Sequence, residues 1–106
     1  MSEHTQGPWE IFEHPKRVEW EVRKSASGDP DDWWFIATIY DGAEGASAEA
    51  NAHLIAAAPE MYAALRMALT AIVEDLEEIG YEEQDIADNE IVKACRDAIA
   101  KAEGKP

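Results

Sequence analysis

The spacing of apolar residues changes once along this chain, and that change limits what it can fold into. As far as Tyr40 the apolar positions alternate with polar ones or form short runs. Beyond Ser47 they recur every third or fourth residue. A period of two belongs to strands and a period near 3.6 to helices. The chain is therefore read as strands first and helices second, an α+β arrangement.

The strand half divides into three. "PWEIFEH" follows a Gly-Pro pair, with Trp9, Ile11 and Glu13 alternating against Glu10 and Phe12. "VEWEVRK" sets Val18, Trp20 and Val22 against Glu19, Glu21 and Arg23, the pattern of a half-buried antiparallel strand. "WWFIATIY" is apolar on both sides, which predicts a central or well-covered strand. "HPKR" and "SASGDPDD" are the turns between them, and Asp41-Gly42 closes the third strand.

The helical half starts at Ser47, a predicted N-cap. Asn51, Leu54, Ile55 and Ala58 fall on one helix face. Pro59 stops this helix or opens the next, since proline is accepted in a first turn. A second helix is predicted from about Pro59 to Ile79, with Tyr62, Leu65, Leu69, Ile72, Leu76 and Ile79 forming its seam. Gly80 terminates it. Asp88 or Asn89 caps a last helix that carries Ile91, Val92, Cys95 and Ile99 and ends near Gly104. A bare meander with a wet apolar face is not stable. The expected fold is a three-stranded antiparallel β-meander (1–45), then a short helix and a helical hairpin (46–104) packed on one sheet face. With 106 residues this is a single domain, 1–106, able to bury roughly 65% of its unfolded surface.

"GPWEI" at residues 7–11 and "EANAHLIAAAPEMYAAL" at 49–65 resemble a widespread group of small phage and prophage proteins. These share a Gly-Pro-Trp opening, a strand-rich first half and an Asn-Ala-x-Leu-Ile-Ala-Ala-Ala-Pro-Glu helix junction. The resemblance implies expression inside an infected or lysogenic bacterium. It favours a non-enzymatic role, such as inhibition of a host or anti-phage defence protein. It carries over no functional residues.

Charge bounds the partners. Twenty-three acids against nine bases give a net charge of −14. Nucleic acids require cationic side chains that displace counterions, so direct nucleic-acid binding is not expected. Anionic membranes attract Lys and Arg, and the longest apolar run, "MYAALRMALTAIV", is short and contains Arg66, so no membrane association is expected. The first ten residues show no basic and apolar leader pattern. The lone Cys95 excludes an internal disulfide and suits a reducing bacterial cytoplasm. A basic partner is the natural complement of such a chain.

Three sets of residues are candidate sites. The first is "EDLEEIGYEEQDIADNE", residues 74–90, which holds nine acids and no Lys or Arg. Glu74, Asp75, Glu77, Glu78, Glu82, Glu83 and Asp85 are its partner-binding candidates, alongside Asp88 and Glu90. Acidic patches steer basic partners through long-range fields, although charge runs are often no more than solvated faces. The second set is aromatic. Trp33 and Trp34 are adjacent in a strand, so they point to opposite faces and one must be exposed or buried in an interface. Trp33 is taken as the contact residue, and a homodimer is one possible use. The third is Asn51, predicted to lie on the apolar face with its amide paired to backbone; His53 points away from it.

No chemistry-bearing motif is found. Asp29, Asp31, Asp32 and Asp41 lack the spacing of a calcium loop. His4, His14 and His53 stand in different elements, and Cys95 reads as a buried, inert thiol. No catalytic residue, metal or cofactor is expected. The function expected is that of an acidic, non-enzymatic binding protein directed at a basic, nucleic-acid-binding surface of a host or defence protein. The alternatives are a homo-oligomeric module and a sponge for a small signalling nucleotide, the latter needing arginines that are scattered at Arg17, Arg23, Arg66 and Arg96.

Overall fold

The computed structural model describes residues 4–13, 19–25, 33–40 and 47–105. Three strands come first: β1 (Glu10–Glu13), β2 (Glu19–Ser25) and β3 (Trp33–Tyr40). Four helices follow: α1 (Ala48–Ala56), α2 (Ala58–Ile79), α3 (Glu83–Asp88) and α4 (Glu90–Ala102). The expected turns at 14–17, 25–32 and 41–42 lie largely or wholly outside the described residues, and Val18 lies outside them too.

The strands form an antiparallel meander in the order β1-β2-β3. The middle strand is therefore the alternating one, β2. The apolar strand β3 is an edge, which corrects the expectation of a central or well-covered strand. In a three-stranded meander the third strand has one neighbour whatever its composition. Trp33, Trp34, Phe35 and Tyr40 are accordingly exposed.

Helix α1 packs on one face of this sheet. The core there is Val22, Ile39, Ala48 and Ala52, with Trp9, Ile11, Trp20, Ile36, Ala37, Ile55 and Ala56 packed around it. Small side chains at Ala48, Ala52 and Ala56 recur every fourth residue, which lets the helix backbone come close to the strands. The predicted face was one of Asn51, Leu54, Ile55 and Ala58. Asn51 and Leu54 are instead exposed, so the buried stripe is set by the alanines and Asn51 has no burial to offset. His53 is exposed as expected and lies 3.9 Å from Glu49 one turn earlier.

Ser47 caps α1, its Oγ accepting from the Ala50 N–H at 3.2 Å. The helix closes at Ala57, whose N–H donates to the His53 carbonyl at 3.0 Å. Pro59 has no N–H to continue the ladder, and it fits the first turn of α2, where none is needed. Pro59 is buried. Gly7 explains why: a Cβ built on Gly7 would stand 2.9 Å from the Pro59 Cβ and 3.2 Å from a Glu60 carboxylate oxygen. The Gly7–Pro8 peptide bond is cis, and the Gly7 carbonyl accepts from Lys24 Nζ at 2.8 Å. Trp9 donates its indole N–H to the Thr5 carbonyl at 3.1 Å. The N-terminal segment is thus tied both to β2 and to the α1–α2 junction.

The described residues form two compact units, 4–60 and 61–105. In the second, Tyr62, Leu65, Leu69, Ile72, Val73 and Leu76 are half-buried along α2, whereas Ile79 is exposed. Gly80 ends α2 with φ at 109°, a conformation glycine adopts without a Cβ penalty; its N–H and that of Tyr81 both reach the Leu76 carbonyl. Asn89 caps α4, its Oδ1 accepting from the N–H groups of Ile91 and Val92 at 2.9 and 3.1 Å. Ile86 of α3 and Val92 of α4 are the buried residues here. Cys95 is half-buried, not fully buried as expected; it lies a turn beyond Val92, the fully buried residue of α4. The Tyr62 hydroxyl donates to Glu103 Oε2, so the start of α2 meets the end of α4 and the chain folds back on itself.

Candidate protein-binding surface

The nine acids of residues 74–90 are distributed over the end of α2, α3 and the start of α4. Glu74, Asp75, Glu77 and Glu78 occupy the last turns of α2. Glu82, Glu83 and Asp85 surround the start of α3. Asp88 ends α3 and Glu90 opens α4. Every one of the nine is exposed. Among the described residues none of them forms an ion pair, and the Gln84 amide donates to Asp88 at 3.1 Å.

Most bases of the same unit lie elsewhere. Arg66 is in the third turn of α2, Arg96 is midway along α4, and Lys101 and Lys105 are at and just beyond its end; Lys93 alone stands near the acids, in the first turn of α4 after Glu90. Lys105 binds Glu103 at 3.0 Å, and Arg66 donates to the Tyr62 hydroxyl at 3.3 Å. Hydrogen bonds from Tyr62 and Lys105 hold the Glu103 carboxyl below its ordinary pKa. The helical unit is therefore polarised along its length: carboxylates are concentrated at the turn from α2 through α3, and balanced groups sit at the opposite end.

This placement runs against the helix dipole at the end of α2. A helix C-terminus carries partial negative charge and prefers cations, yet α2 has no basic residue in its last turn. Only the acids at the starts of α3 and α4 are in favourable positions.

The second candidate lies on the sheet face opposite α1. Arg23 of β2 places its guanidinium 3.8 Å from the Phe12 ring centroid and 3.7 Å from that of Trp33. Its Nη2 binds Glu21 at 2.9 Å. The charge is thus clamped between two aromatic faces and a carboxylate, each face being attractive to a cation through the ring quadrupole. Trp33, the predicted contact residue, is partly committed to this clamp. Phe35 and Tyr40 share its side of the strand and are more open. The clamp was not foreseen. Its signal was available in the alternation of Phe12, Arg23 and Trp33 on successive strands, but it depends on a strand register that the sequence does not reveal.

Among the described residues no group of three or more His, Cys, Asp or Glu could hold a metal ion. None of the described helices is long and apolar enough to cross a membrane.

A family model described as Salmonella phage P22 protein Y8K6 matches residues 1–106. The chain belongs to this family. No curated protein and no solved structure matches it. "GPWEI" and the "AAAPE" junction, far apart in sequence, meet where Gly7 fits against Pro59 and Glu60. They support the fold of the sheet unit, and the acidic end lies outside both.

Proposed function

We propose that this phage-family protein acts without catalysis, by binding a basic surface on a host or anti-phage defence protein. The surface in view is one that otherwise contacts nucleic acid. The observation carrying this reading is the acidic stretch of the helical unit: nine exposed carboxylates within 17 consecutive residues, from the last turns of α2 to the start of α4, none in an ion pair among the described residues.

A surface cluster of this kind raises the local concentration of a cationic partner and speeds encounter. Lys and Arg that bind phosphates also bind carboxylates, Arg in a bidentate manner. Occupation of such a surface excludes nucleic acid stoichiometrically. The nucleotide-sponge alternative receives less support. Arg23 is engaged by Phe12, Trp33 and Glu21, and Arg66 by Tyr62, so neither stands ready to take a phosphate.

The test is affinity capture from nuclease-treated host lysate with the parent protein and with Glu77→Gln/Glu78→Gln/Glu82→Gln/Glu83→Gln. The parent should recover a basic protein, and raised salt should weaken the complex. The variant should associate on the order of tenfold more slowly or worse. It should melt close to the parent temperature, because relief at the end of α2 offsets the loss of favourable charge at the start of α3. Equal capture by both proteins would remove the acidic end from the account.

A further inference from the structure

We propose that β3 is a dimerisation edge, on which a second copy of this chain pairs its own β3 antiparallel to form a continuous six-stranded sheet.

The two edges of the sheet differ in how they are guarded. Natural sheets blunt their edges with short strands, charges, prolines or bulges, because unpaired N–H and C=O groups invite another strand. β1 is four residues long and carries Glu10 and Glu13. β3 is eight residues long, "WWFIATIY", with no charge and no proline. Among the described residues no backbone hydrogen bond other than those to β2 reaches it. Its one irregularity is the register shift opposite Val22 and Arg23, which leaves Ile36 as the extra residue.

That extra residue makes the strand self-complementary. Trp33, Phe35, Thr38 and Tyr40 pair with Ser25, Arg23, Glu21 and Glu19, on the open face of the sheet. Trp34, Ala37 and Ile39 pair with Lys24, Val22 and Trp20, on the α1 side, and Ile36 packs against the core there. Residues directly opposite one another across an antiparallel pair share a face. A twofold axis between Ile36 and Ala37 meets that condition at every position. Trp33 then faces Tyr40 of the second copy, Trp34 faces Ile39, Phe35 faces Thr38 and Ile36 faces Ala37. No residue of the strand overhangs, and the bulge lies at the axis.

The side chains left open fit this occupant. Trp34 is 60% exposed, Phe35 53% and Tyr40 64%; Trp34 gains Ile39 as a cross-strand neighbour, Tyr40 gains Trp33, and Phe35 gains the β-branched Thr38. The strand has no carboxylate to offer the basic partner proposed above. It carries no charge of its own, and the repulsion a second copy meets comes from Asp32 and Asp41, which flank it in sequence, and from the net charge of the two chains.

The experiment is sedimentation equilibrium of the intact chain across the micromolar range, at low and high salt, with Trp34→Lys, Phe35→Lys and Met67→Lys. Met67 is exposed on α2 and serves as the control. The parent should be a dimer. Its association should tighten as salt rises, because two chains of −14 repel and salt screens them. This is opposite to the salt response of a complex with a basic protein, so the two proposals fail separately. Trp34→Lys should weaken the dimer at least about tenfold, since each substitution enters the interface twice. Phe35→Lys tests the same strand from its other face, and far-UV circular dichroism checks that each variant is folded. A monomer under all conditions, or a dimer that the β3 lysines leave intact while Met67→Lys disperses it, would overturn the proposal.

Discussion

The contact between Gly7 and Pro59 supports a prediction that can be worked in detail. In Gly7→Ala the new methyl group would lie 2.9 Å from the Pro59 Cβ and 3.3 Å from its Cγ. Carbon atoms in contact prefer about 3.5–4.0 Å. Neither side yields easily. Pro59 is a ring in the first turn of α2, and Gly7 is bound at its carbonyl by Lys24 and followed by Pro8. The Glu60 carboxylate, at 3.2 Å, can swing away at little cost. Overpacking of this type costs about 1–3 kcal/mol. Alanine returns about 0.4–1 kcal/mol by restricting the unfolded chain. The net loss is about 1–2 kcal/mol, which for a unit of this size lowers the melting temperature by roughly 5–15 °C. All four tryptophans, Trp9, Trp20, Trp33 and Trp34, lie in the sheet unit, so tryptophan fluorescence during urea or thermal unfolding reads this unit directly. Gly7→Val should lose more than Gly7→Ala. An alanine variant as stable as the parent would refute the packing argument, and with it the idea that the N-terminal segment and the helix junction support one another.

Two further substitutions address the helical unit. Asn89→Ala removes the acceptor for the Ile91 and Val92 N–H groups and should cost about 1 kcal/mol, read as an earlier loss of helical circular dichroism on heating. Tyr62→Phe removes the hydrogen bond that is the largest cause of the lowered Glu103 pKa. A carboxyl whose folded pKa is depressed stabilises the fold above its unfolded pKa, and that contribution is lost as pH falls through the folded value. The parent should therefore lose stability below about pH 4.3, the ordinary range for Glu. Tyr62→Phe should show a shallower loss in the same window, measured by thermal melts at stepped pH.

Local chemistry made much of the architecture legible. The change of period separated strands from helices, and Ser47, Pro59, Gly80, Asn89 and Gly104 act through backbone geometry or capping, which depend on near neighbours alone. The misreadings concern partners in space. "WWFIATIY" was read as a covered strand because its composition is that of an interior strand, yet composition does not say whether a second neighbour exists. Asn51 was placed inward because helix periodicity leaves the phase of a face open when most of its residues are alanine; Ala48, Ala52 and Ala56 define an equally good stripe and bring the helix closer to Val22. The acidic end was fully legible as a run of charge. Its division among three helices follows from the breaks at Gly80 and Asn89.

The position of the carboxylates favours the proposed binding surface over simple solubility. Solubility asks for net charge with both signs interspersed over the surface. Glu77 and Glu78 instead stand in the last turn of α2, where its dipole opposes them, at about 0.3–1 kcal/mol each for exposed sites. Arg66, Arg96, Lys101 and Lys105 lie away from that end, and only Lys93 stands near it. Exchanging a few of them with the acids would leave the net charge unchanged and would relieve the helix. A chain kept acidic only to remain in solution would gain stability from that exchange at no loss. The arrangement found here keeps an uncompensated negative field at one end of the helical unit, and a field of that kind acts on a cationic surface brought to it.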